Sequence, residues 1–166
     1  MINVIQITNT EKAFNRILYV LNRKEIPFQI SGGFAAKIYG SPRPLNDIDI
    51  EVPDDKIEYV VPDVRQYIVS GPGRYKDERW DLNLMTLNIR GQEIDISGGY
   101  GVKICDARTG VWTPCPVDFS DYELREVFGN YVPVIPKRKL IEYKKMLVGA
   151  HQRIDIEAVE KSLSKK

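Results

Sequence analysis

Residues 46–52, Asn-Asp-Ile-Asp-Ile-Glu-Val, restrict this chain more than any other stretch. Ile48, Ile50 and Val52 alternate with Asp47, Asp49 and Glu51, the two-residue period of a strand with one buried face. Side chains at i and i+2 of a strand point the same way, so Asp47 and Asp49 share the open face. Two carboxylates that close repel each other unless something positive lies between them. A hard divalent cation meets that need, because Mg²⁺ takes oxygen ligands from one or two carboxylates and completes its shell with phosphates or water.

Glu93-Ile94-Asp95-Ile96 repeats the alternation on a second strand. Beside the first strand, and in register with it, Asp95 becomes a third carboxylate. Three carboxylates can hold two metal ions, which clamp the attacking and leaving oxygens of a phosphoryl displacement. Either segment alone would pass for a half-exposed strand. A glycine pair upstream makes the combination pointed.

That pair is Ser31-Gly32-Gly33, at the junction between a short apolar strand (28–31) and a short helix (34–39). Glycines there let backbone N–H groups approach an anion, and a helix N-terminus favours negative charge. Residues 34–46 leave room for one helix and a return loop, which brings the glycines to the same end of the sheet as the aspartates. Arg43, in the loop Gly40-Ser41-Pro42-Arg43-Pro44, is placed to meet a phosphate or an acceptor. Further on, Leu140, Ile141, Leu147 and Val148 make a helical stripe with Lys144 inside it. A lysine on an inward face reaches either water or a negatively charged cleft, and a triphosphate would be a fitting partner.

The remaining elements follow from local rules. Thr8, Asn9 and Thr10 offer N-caps for a helix presenting Phe14, Ile17, Leu18 and Leu21, which ends near Ile26-Pro27. Residues 54–69 read as helical on either side of Pro62, and Gly71-Pro72-Gly73 as a loop. Strands 80–89 and 92–97 flank Arg90-Gly91 as a hairpin, and 123–127 with 131–135 form another about Gly129-Asn130. The stretch 98–116, rich in glycine and proline, yields no element. A helix over 137–148 and a last one from about Arg153 close the chain, with Asp155 expected to complement the last helix's positive end. His151 reads as a surface residue, and Lys137-Arg138-Lys139 and Lys165-Lys166 as solvated charge. The order is that of a mixed α/β or α+β fold in one domain over 1–166, with a core to about 116 and a mostly helical part over 117–166.

Bulk properties narrow the function. A formal net charge of +1 argues against a surface devoted to blanketing nucleic-acid phosphates. Cys105 and Cys115 make no disulfide framework, and one histidine makes no histidine-rich metal centre. Residues 1–7 lack the basic start and long apolar stretch of a signal peptide, and no apolar run approaches the roughly 20 residues of a membrane span. The expectation is a cytoplasmic protein with no membrane partner.

The set Ser31-Gly32-Gly33, Asp47-Ile48-Asp49 and Asp95 resembles the polymerase-β-like nucleotidyltransferase superfamily. The longer stretch from Ile30 to Gly40, the Arg43 loop and the aspartates are similar to two groups within it: the small antibiotic-modifying enzymes and the nucleotidyltransferases of abortive-infection systems. Leu140-Ile141-Glu142-Tyr143-Lys144, followed by Arg153 and Asp155, is similar to their lysine-bearing C-terminal motif. The toxin-type pattern departs at Ile154-Asp155-Ile156-Glu157-Ala158, which lacks its basic residue and second aspartate.

The resemblance implies the nucleotidyltransferase fold, a short mixed sheet with flanking helices and C-terminal helices over the cleft. It implies roles as well. Asp47, Asp49 and Asp95 would ligate Mg²⁺, or Mn²⁺ in its place, with Asp95 also the general base. Ser31, Gly32 and Gly33 would hold a nucleoside triphosphate as co-substrate, and Arg43 and Lys144 would neutralise it. The reaction would move a nucleoside monophosphate to a hydroxyl of a small molecule, an RNA end or a protein, with release of pyrophosphate. The small molecule is favoured, since the chain shows no added nucleic-acid module. The competing reading is a relative without catalysis that serves as a binding or antitoxin-like regulatory protein. The oligomeric state is not written in these residues.

Overall fold

Thr8 starts the first helix by accepting the Glu11 N–H on its hydroxyl at 3.1 Å. The computed structural model describes residues 8–164; the expectations drawn from residues 1–7 and from Lys165-Lys166 lie outside them. Helix α1 (Asn9–Arg23) buries Phe14, Ile17, Leu18 and Leu21, the face that its 3.6-residue spacing predicts. Strand β1 (Gln29–Ser31) runs into α2 (Gly32–Ile38), which begins two residues earlier than expected, with Gly32 at a positive φ of 62° that glycine adopts readily.

Strand β2 (Asp47–Val52) has the alternating burial its sequence announces, with Ile48, Ile50 and Val52 inward. A single 3₁₀ turn (Asp54–Lys56) leads into α3 (Ile57–Val64). Pro62 is carried within α3, and the helix gives way two residues later to a second 3₁₀ turn (Arg65–Tyr67).

The reading of residues 68 and 69 as helical and of Gly71-Pro72-Gly73 as a loop is corrected here. All lie in strand β3 (Ile68–Lys76), which pairs antiparallel with β4 (Trp80–Ile89). The pairing shifts register twice between Ile68 and Gly73, and the Gly71–Pro72 peptide is cis. Such an irregular edge strand accommodates the proline, which has no N–H to offer the ladder.

Strand β5 (Gln92–Gly98) returns from β4 through a tight turn at Arg90-Gly91, both at positive φ as a hairpin of this hand requires. The stretch 98–116 holds two short strands that sequence reasoning did not place, β6 (Lys103–Cys105) and β7 (Trp112–Pro114). Strands β8 (Glu123–Val127) and β9 (Asn130–Val134) form the second expected hairpin. Helices α4 (Lys137–Leu147) and α5 (Ala150–Ser164) follow, α5 starting three residues before the expected Arg153.

The strands make one mixed sheet in the order β7-β6-β4-β5-β2-β1-β9-β8, with β3 paired to β4 on the side opposite β5 and β6. The pairs β2/β5 and β1/β9 are parallel and the rest antiparallel. Ile48, Ile50, Ile94 and Ile96 are almost wholly buried in the core shared with α1 and α3. Truncating any one of them to alanine would cost about 2 to 5 kcal/mol, because the close-packed surroundings relax only in part. The opposite face carries the carboxylates. Among the described residues, no helix is long and apolar enough to cross a membrane.

Candidate active site

Parallel pairing of β2 with β5 sets Asp49 directly beside Asp95, with Asp47 opposite Glu93 and Glu51 opposite Ser97. Each of Asp47, Asp49 and Asp95 offers a carboxylate oxygen, and these oxygens lie within 4.8 Å of one another. They line a cleft of about 540 Å³ together with Ser31, Gly32, Gly33, Arg43 and Lys144. The residues singled out in the sequence thus share one cavity.

The carboxyls titrate as crowded groups do. Burial pushes Asp49 well above the ordinary aspartate range, and the neighbouring charges of Asp47 and Asp95 push it further, against the pull of Lys144. Asp95 is raised to about 6, first by burial and then by Asp47, although the Thr86 hydroxyl donates to it at 2.7 Å and works the other way. Glu51 is raised to about 7 by burial of its carboxyl, an effect that the Ser31 hydroxyl reduces. Clustered oxygen donors that repel each other this strongly suit a hard divalent cation.

Gly32 is demanded twice over. Its φ of 62° disfavours any side chain, and a Cβ built there would overlap the Asp49 carboxylate. Its N–H donates to the Tyr143 hydroxyl at 2.8 Å, and Ser31 Oγ lies 3.4 Å from the same oxygen. Gly33, which also lines the cleft, has open space where its Cβ would be. Burial raises the Tyr143 hydroxyl far above an ordinary phenol, so it stays protonated.

Arg43 and Lys144 meet at a residue whose expected role is corrected here. Asp155 does not complement the N-terminus of α5, because α5 begins at Ala150 and sets Asp155 in its second turn, fully buried. One of its oxygens takes Arg43 Nη1 at 2.6 Å and Lys144 Nζ at 3.0 Å; the other accepts from Ser41 Oγ at 2.6 Å. Lys144 also donates to Gln152 Oε1 at 3.0 Å. A buried carboxylate with two cations and a hydroxyl is well satisfied, and it holds both cations at the cleft wall with one positive charge to spare. His151 is exposed, as expected.

Sequence reasoning did not find Thr86, Ser41, Gln152 or the role of Tyr143. Thr86, Ser41 and Gln152 belong to no recognisable spacing, and Tyr143 lies in the 140–144 stretch without a signal of its own.

No family model matches the chain, and no curated protein matches it by sequence. Its architecture does find counterparts. A provisionally named nucleotidyltransferase from Thermotoga maritima superposes with a TM-score of 0.67 at 19% identity, over 93% of this chain and 92% of that one. This chain has the nucleotidyltransferase fold. The antibiotic-resistance factor ANT(2'')-Ia shares the nucleotidyltransferase fold with it at a TM-score of 0.63 and 14% identity, over 95% and 86% of the two chains. The lincosamide antibiotic adenylyltransferase LnuA, solved with lincomycin, gives 0.60 at 13% identity over 92% and 97%. At such identities the likeness is one of nucleotidyltransferase architecture, and it includes the small antibiotic enzymes that the sequence resembles.

Proposed function

We propose that the protein is a metal-dependent nucleotidyltransferase that moves a nucleoside monophosphate from a nucleoside triphosphate to an acceptor hydroxyl. The observation that carries this reading is the convergence of three carboxylate oxygens within 4.8 Å in a cleft that two cations also line. Asp47, Asp49 and Asp95 would hold Mg²⁺ or Mn²⁺, which supplies Lewis-acid stabilisation of charge on the transferring phosphoryl group. Gly33, Arg43 and Lys144 would receive the triphosphate, with Ser31 and Gly32 shaping the wall beside it. Asp95, raised to about 6 and oriented by Thr86, is suited to take the acceptor's hydroxyl proton. The acceptor oxygen then bonds to the α-phosphorus as pyrophosphate departs.

The reading without catalysis has no observation in its favour. An abandoned site has no reason to keep three mutually repelling carboxylates in a cleft. The test is transfer of α-labelled ATP, GTP, CTP or UTP, with Mg²⁺, to a panel of small hydroxylated compounds, RNA and proteins. Label should move with stoichiometric pyrophosphate, and Asp47→Asn and Asp95→Asn should abolish it while circular dichroism stays unchanged. Equal transfer by Asp47→Asn and wild type would end the metal reading.

A further inference from the structure

The sheet leaves β3, β7 and β8 as its edge strands, and they differ. Strand β3 is interrupted by Pro72 and two register shifts, and β7 is three residues long and ends at Pro114. Strand β8 is regular, and among the described residues only β9 pairs with it. An open, regular edge is a template for another strand. Beside it Leu124 is 60% exposed, Tyr131 74% and Tyr122 45%, so the edge carries apolar surface that an added strand would cover.

The phase of the hydrogen bonds decides how a strand can lie there. Phe128 and Gly129 form a two-residue turn, both at positive φ, so Val127, Arg125 and Glu123 direct their backbone groups at β9. Pro133, which has no N–H to give, stands opposite Leu124, in keeping with this phase. The open N–H and C=O groups are therefore those of Leu124 and Glu126. Two antiparallel copies of β8 can shift past each other only in steps of two residues.

Charge selects among those steps. A pairing centred on Arg125 sets arginine against arginine, and one centred on Glu123 sets glutamate against glutamate. Centred on Leu124, each Glu123 lies opposite the second copy's Arg125, and the two leucines meet on the other face. Arg125 lacks such a partner within its own chain. It forms no ion pair among the described residues, and its Nε is shut off from solvent without a hydrogen-bond partner. Its guanidinium stands 5.1 Å from the centre of the Tyr39 ring, which Lys137 also overlies and Glu123 adjoins.

We propose that β8 is a self-association edge: two copies of this chain join antiparallel about Leu124 and continue one sheet through both. No residue of β8 lines the cleft, so each copy keeps its own site.

Sedimentation velocity of the full chain from about 1 to 200 µM should show the weight-average mass rising from one chain to two, since a single added strand makes a small, weak interface. Glu123→Arg and Arg125→Glu should each raise the dissociation constant about tenfold, because like charges then face each other twice. An equimolar mixture of these two variants should associate as wild type does, because the arginines of one face the glutamates of the other. Leu124→Pro removes an open N–H without touching the pairing with β9, and should abolish association with circular dichroism unchanged. If that variant unfolds, the two reversals and their mixture decide alone, since only folded chains can complement each other. Wild type that stays monomeric throughout overturns the proposal and leaves the edge to a strand of a different protein. A dimer indifferent to the reversals, or reversals whose mixture stays monomeric, overturns it as well.

Discussion

Asp49 stands so close to Gly32 that a single methyl group at position 32 would overlap its carboxylate. Gly32 follows directly on Ser31, the β1 residue that pairs with Asp49 of β2, and is the first residue of α2. Gly32→Ala therefore meets two obstacles, the positive φ and the carboxylate. The variant should lose about 1 to 3 kcal/mol of stability, the usual cost of holding a residue in a sparsely populated backbone region. Its Mg²⁺ affinity should fall about tenfold or more as Asp49 is displaced. Urea unfolding and a metal titration monitored by calorimetry check the two parts; unchanged metal affinity would separate Gly32 from the acidic cluster.

Asp155→Asn keeps the shape of the buried hub and removes its charge. Lys144, itself buried, is then left without its counter-ion, a change that costs about 3 to 5 kcal/mol when a buried pair is broken from one side. Asp155→Leu combined with Lys144→Met should recover most of that loss in chemical denaturation. The double variant should nevertheless bind a nucleoside triphosphate more weakly than wild type. Full nucleotide affinity in the double variant would remove Lys144 from the binding site.

Glu51 and Asp95 give the metal-free protein an unusual pH dependence. Both are raised in the fold, Glu51 from 4.5 to about 7 and Asp95 from 3.8 to about 6. The native state thus binds more protons than the unfolded chain between about pH 4 and 7, so stability falls as pH rises through that window. Glu51 alone accounts for roughly 3 kcal/mol of the fall. Thermal melts of metal-free protein from pH 4 to 8 should show the decline, and Glu51→Gln should make it shallower. A melting temperature that climbs across this range would contradict the burial of these carboxyls.

Mg²⁺ competes with protons for the same oxygens, so its stabilising effect should grow over the same interval. At pH 8 a millimolar excess should raise the melting temperature, and at pH 5 it should do little. A shift that is equal at both values would mean the ion binds elsewhere.

Tyr143→Phe removes the acceptor of the Gly32 N–H without changing shape. An N–H left unpaired in a partly buried turn costs about 1 to 3 kcal/mol, and urea unfolding should register it. No loss would mean that water or Ser31 replaces the phenol.

The parts of this structure legible in the sequence are those written in local periodicity. Alternating Ile and Asp in 47–52 and 93–96 specified two half-buried strands, Thr8 a helix start, and Arg90-Gly91 a hairpin. That Asp49 and Asp95 stand side by side depends on parallel pairing between strands over forty residues apart, which the strand patterns suggest and the resemblance implies. Gly71-Pro72-Gly73 misled because its turn chemistry is overridden by pairing with β4. Strands β6 and β7 are three residues each, too short for a period to show. Asp155 was misread because the α4–α5 junction, with Val148 and Gly149 at positive φ, lets the last helix start early and swings position 155 inward.

The hub at Asp155 also bears on when this architecture can come into being during synthesis. Ribosomes extrude the carboxylate strands long before α5, so the nascent sheet exposes its acidic face while Arg43 still lacks its anchor and Lys144 has yet to emerge. The anionic half of the cavity is assembled first and the cationic half last. A polypeptide interrupted anywhere before residue 155 would lack the carboxylate that anchors Arg43 and Lys144.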